Sequence, residues 1–68
     1  MIKHLSLRTT NGYTAVSVFD TAAIEINLQG VITVITKLGT RYELVVKPEE
    51  DAKEKFKELV KVAFGQDA

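Results

Sequence analysis

A chain of 68 residues makes one domain with a thin core, because a chain this short buries only about 60 % of its extended-chain surface. It has no cysteine, which excludes a disulfide framework, a thiolate metal site and a cysteine nucleophile. Nine basic and nine acidic residues cancel to a net charge of zero, which argues against tight, sequence-independent nucleic-acid binding.

The apolar share of 46 % is ordinary for a globular domain and argues against disorder. No apolar run approaches the roughly 18–20 residues of a membrane span. Met1-Ile2-Lys3-His4 is not followed by the apolar core of a signal peptide. These features predict a soluble, cytoplasmic protein. Charge is skewed mildly along the chain. Residues 1–18 carry Lys3 and Arg8 and no acid, whereas residues 48–68 carry six acids against four lysines.

Lys3 to Arg8 reads as a first strand, with Leu5 and Leu7 on one face and His4, Ser6 and Arg8 on the other. Asn11-Gly12 is a strong hairpin signal. Tyr13 to Val18 follows as a second strand, its two faces less distinct. Phe19 to Ala22 breaks the pattern, and Asp20 or Thr21 suits a capped turn. Ala23 to Leu28 reads as a third strand, with Ile24, Ile26 and Leu28 opposite Glu25 and Asn27. The alanines also permit a helical reading of Thr21–Ile26. Gln29-Gly30 is a tight turn.

Val31 to Thr36 is dense in β-branched residues, which suit a pleated surface. Arg41 to Lys47 alternates, with Tyr42, Leu44 and Val46 on one face. Gly39 lies between these strands, where a short hairpin loop calls for positive φ. Pro48 ends the ladder and suits the first position of a helix. From about residue 48 to 64, Ala52, Phe56, Leu59, Val60 and Ala63 recur at three- and four-residue steps, forming one apolar stripe. Glu49, Glu50 and Asp51 fall in the predicted first turn, where the helix dipole favours anions. Glu49–Lys53 and Asp51–Lys55 have ion-pair spacing. Gly65 is placed to end the helix in a left-handed cap.

The predicted fold is therefore α+β: an antiparallel β-meander of about five strands packed by one C-terminal helix, in a single domain spanning residues 1–68. One amphipathic helix covers one face of one sheet, and the strands carry more apolar side chains than that face requires. Two explanations stand. Either the sheet curls into a half-barrel that partly closes both sides, or a second face or open edge packs against another chain. The residues assigned to such a contact are Val31, Ile35, Val45, Lys37 and Arg41.

Chemistry-bearing motifs are sparse. His4 is the one histidine and lacks a partner group at recognisable spacing for acid–base work. The acidic cluster at 49–51 reads as dipole compensation, and the lysines at 53, 55, 57 and 61 read as a solvated helix face. No phosphate-cradling glycine motif is present, and Ser6 and Ser17 lack an activating motif. No catalytic, cofactor-binding or metal-ligating residue is assigned. Tyr13, Tyr42 and Arg41 suggest a base-stacking surface as an alternative; Lys3, Arg8, Lys37 and Arg41 would supply its charge.

Met1-Ile2, Asn11-Gly12, Ile24-Glu25, Val31 to Thr36, Gly39, Tyr42 and Glu49-Glu50 together form a pattern that resembles the small flagellar FlbD/SwrD-type proteins. The chain departs from that pattern at Phe19-Asp20, where the family has Asn-Pro, and at Gln29-Gly30, where it has a Pro-Asp-Thr turn. The strand meander ending in one helix is also similar to the second half of small pleckstrin-homology-like bacterial domains, an architecture shared by many phage and plasmid accessory proteins. Neither resemblance carries a catalytic residue. The surplus of apolar strand residues leads to the expectation of a non-catalytic module that binds protein, as a homodimer or higher homo-oligomer, with a nucleic-acid-associated accessory role using Lys3, Arg8, Lys37 and Arg41 as the alternative.

Overall fold

A computed structural model describes residues 4–47 and 50–65. Five strands, β1 (His4–Thr9), β2 (Gly12–Ser17), β3 (Thr21–Ile26), β4 (Ile32–Thr36) and β5 (Arg41–Leu44), precede one helix, α1 (Ala52–Phe64). The strands form one open antiparallel sheet in the order β2-β1-β5-β4-β3. The predicted α+β class, strand number and C-terminal helix are all present, and Thr21–Ile26 is strand rather than helix.

The sheet is assembled from two local units. Residues 4–17 form a hairpin whose register runs unbroken from His4↔Ser17 to Thr9↔Gly12. Residues 21–44 form a three-stranded meander through β3, β4 and β5. A narrow seam joins them, with Thr9 opposite Leu44 and the Val45 N–H donating to the Arg8 carbonyl at 2.8 Å.

The connection between the units bends the sheet. Neighbouring strands lie about 4.8 Å apart, so β2 and β3 would stand about 19 Å apart in a flat five-stranded sheet. The link between these two outermost strands is a 3-10 turn over Val18–Asp20. At about 2 Å of rise per residue, Ser17 to Thr21 spans only about 8 Å. The sheet must therefore curl until its two margins approach at this corner. Thr21 holds the corner by donating its hydroxyl to the Ser17 carbonyl at 3.1 Å. The Lys37 N–H donates to the Asp20 carbonyl at 2.8 Å.

Alternation and register place one set of side chains on the concave face. Leu5, Leu7, Val16, Ile32, Val34 and Leu44 are buried there with Leu59 of α1, and Ile24, Ile26, Tyr42, Val46 and Phe56 pack against them. The helix therefore covers the face that carries Ile32 and Val34. Of its predicted stripe, Phe56, Leu59 and Ala63 pack against the core, with Leu59 the helix's one buried residue among the described ones.

The helix begins later than the sequence predicts. Asp51 is its N-cap, accepting from the Lys53 N–H at 2.9 Å, and Glu50 precedes it in a turn closed onto the Lys47 carbonyl. A carboxylate that satisfies an orphan N–H ends the preceding extended chain more effectively than a dipole preference several residues earlier. The first-turn acid is thus Glu54. Asp51 is engaged by backbone rather than by Lys55, and Lys57 pairs with Glu54 at 3.9 Å. Pro48, Glu49 and the pairing of Glu49 with Lys53 lie outside the described residues. Gly65 closes the helix in the left-handed conformation (φ 66°), its N–H bonded to the Lys61 carbonyl.

The third strand also ends earlier than predicted. The Asn27 Oδ1 accepts from both the Gln29 and Val31 N–H groups at 2.9 Å. This Asx turn draws the chain out of the strand, and Leu28 is fully exposed at the tip instead of continuing the Ile24–Ile26 face.

Candidate interaction surface

The convex face is assembled from side chains that alternation turns away from the helix. Cross-strand pairing ranks them in transverse rows. Tyr13 stands opposite Arg8. The Val45 amide bonds to the Arg8 carbonyl, which sets Val45 beside Arg8. One step beyond the Ile32–Leu44 pair, the register brings Val31 opposite Val45, and the Asn27 N–H bonds to the Val31 carbonyl. One row therefore crosses all five strand lines: Tyr13, Arg8, Val45, Val31, Asn27. Tyr13 is 82 % exposed, and Val45 and Val31 are more than one-third exposed.

A second row holds Ala23, Ile35 and Arg41. Between the two lies Glu25–Thr33–Glu43. Arg41 reaches diagonally across β4 to Glu25, with Nη2 3.4 Å from Oε2. The pair crosses between Thr33 and Ile35, and Thr33 is buried although it points away from the core. Both partners are more than half exposed, so this ion pair contributes at most about 1 kcal/mol.

The five residues assigned from sequence separate accordingly. Val31 and Val45 are neighbours, Ile35 and Arg41 are a facing pair, and the Thr33–Glu43 row stands between the two groups. Lys37 lies apart, exposed at the β4–β5 hairpin. The structure adds Arg8 and Tyr13 to the Val31–Val45 row. Their membership depends on the β1–β5 seam, a pairing of residues far apart in the chain for which no local pattern gives a signal.

The aromatic set considered for base stacking is divided. Tyr13 is on the convex face, while Tyr42 faces the core and packs against it. Phe19 is largely exposed on the 3-10 turn. His4 is exposed on the convex side of β1 with Ser6 and Arg8. Among the described residues, no three His, Asp or Glu side chains gather into a metal-binding group, and no helix is long and apolar enough to cross a membrane.

Where the sheet margins approach, a groove of about 270 Å³ runs between β2 and the β4–β5 hairpin, lined by Ala15, Ser17, Asp20, Lys37, Thr40 and Tyr42 among others. Its lining is as polar as it is apolar, unlike the mostly apolar wall of a small-molecule pocket.

Comparison with protein families, curated proteins and solved structures returned no match.

Proposed function

We propose that this chain is a small non-catalytic protein-interaction module that associates with itself, through its convex sheet face or an open strand edge. One observation carries the reading: a single amphipathic helix packs on the concave side, leaving the exposed side chains of the Tyr13–Arg8–Val45–Val31 row and the β2 margin of the sheet unpaired in an isolated copy. An uncovered aromatic and two valines aligned across strands favour contact with another protein surface. An unpaired strand edge favours the same outcome, because its peptide groups are ready to continue a ladder.

Size-exclusion chromatography with light scattering over a dilution series tests this directly. Concentration-dependent dimers or higher assemblies are the expected result. A strict monomer at every concentration refutes self-association. Retention on immobilised nucleic acid at about 150 mM salt, lost steeply as salt rises, would favour the nucleic-acid alternative instead.

A further inference from the structure

The two margins of the sheet differ in a way that selects one of them. The β3 edge is guarded: its register breaks between Thr21 and Ala23, it carries Glu25, and α1 packs against β3 more than against any other strand. Bulges, charges and covering helices are the devices by which edge strands avoid pairing with other chains. None of them occurs on β2. Gly12–Ser17 has no charge and no proline, and its register with β1 is unbroken.

The direction of its peptide groups follows from the seam. Arg8 gives its carbonyl to the Val45 N–H, toward β5 and away from β2. Successive residues of an antiparallel strand turn their N–H and C=O groups to alternate sides. The Arg8–Tyr13 pair is therefore a non-hydrogen-bonded one, and so are Ser6–Ala15 and His4–Ser17. Tyr13, Ala15 and Ser17 thus aim their backbone groups at the open margin. The Ser17 carbonyl is taken by the Thr21 hydroxyl. No turn, loop or side-chain hydrogen bond among the described residues reaches the outward groups of Tyr13 or Ala15.

We infer that β2 pairs antiparallel with β2 of a second copy, about a two-fold axis through Thr14. This rests on the self-association proposed above and names the strand that mediates it. In that register Tyr13 faces Ala15 of the second copy, and Ala15 faces its Tyr13. All four outward N–H and C=O groups of these two residues are then satisfied reciprocally. Thr14 meets Thr14, a favourable cross-strand pair, and Tyr13 lies over the small Ala15 on the convex face. The second copy is the fitting occupant because an uncharged strand meets its own duplicate without like-charge repulsion. A two-fold through Thr14 also keeps convex side chains with convex ones, as pleating requires.

The test is Ala15→Pro, which deletes an outward N–H and leaves the β1 ladder its own donors. Val45→Glu on the convex face is its companion. Light scattering should give dimers for the wild type and for Val45→Glu, and folded monomers for Ala15→Pro, with the fold checked by circular dichroism. If Ala15→Pro does not fold, wild-type amide exchange decides: the Tyr13 and Ala15 amides should become protected as concentration rises. A dimeric Ala15→Pro, or amides at 13 and 15 that exchange equally fast in the assembled protein, overturns the edge pairing while self-association stands. A wild type that never assembles overturns both.

Discussion

Leu59→Ala is the sharpest test of how this domain is held together. Leu59 is 5 % exposed, so almost all of its side chain leaves water on folding. Truncation to alanine removes three carbons, worth about 0.8 kcal/mol each, or about 2.4 kcal/mol of transfer free energy. The cavity term adds to this, because a helix anchored by one buried residue has few neighbours able to collapse into the gap, giving about 3–4 kcal/mol. A 68-residue domain holds only about 3–10 kcal/mol in total, at 0.05–0.15 kcal/mol per residue. The variant therefore loses about a third or more of its stability. The 13-residue helix is too short to persist once undocked. Urea unfolding followed by far-ultraviolet circular dichroism measures the loss. Val62→Ala is the control: Val62 lies on the same helix, 41 % exposed, and should cost below about 1 kcal/mol. Equal losses for the two variants would refute the packing of α1 through Leu59.

Three further outcomes are expected. Asp51→Ala leaves the Lys53 N–H without its acceptor and should cost about 0.5–2 kcal/mol, with reduced helicity at the first turn by nuclear magnetic resonance chemical shifts. Asn27→Ala removes one acceptor serving two N–H groups and should cost about 1–2 kcal/mol in the same unfolding assay; the loss should be largely retained in Asn27→Leu, which keeps side-chain bulk but offers no oxygen. Arg41→Gln breaks an ion pair whose partners are both mostly in water, so the stability should fall by no more than about 1 kcal/mol, and by less at high salt than at low salt.

The elements legible in the sequence were those with a local period. Leu5 and Leu7 alternate with His4, Ser6 and Arg8, and the strand they predict buries those two leucines. The three- and four-residue steps through Phe56, Leu59 and Ala63 marked the packed helix stripe just as directly. What was not legible depended on contacts between distant residues. Val31 to Thr36 is β-branched on both faces, so nothing local says that Ile32 and Val34 face the helix while Val31 and Ile35 face outward; the pairing of β4 with β5 and of β5 with β1 decides it. The grouping of Val31 and Val45 with Arg8 and Tyr13 follows from that same long-range pairing. Asp51 and Asn27 were misread for a different reason. Each side chain accepts backbone N–H groups, and this local hydrogen bonding overrode the dipole preference at the helix start and the alternation at the end of β3. Of the two explanations for the excess of apolar residues, curling accounts for the concave set, since Ile24, Ile26, Tyr42 and Val46 all pack against the core; Val31, Val45 and Tyr13 stay outside it.

The narrow join between Arg8–Thr9 and Leu44–Val45 gives the molecule a line of least resistance. Each half is sewn by contacts near in sequence and can take shape quickly by itself, whereas docking them requires chain ends some thirty-five residues apart to meet. Breathing motions should part the protein along this stitch before either half frays, and deuterium uptake at the Val45 amide would time the parting.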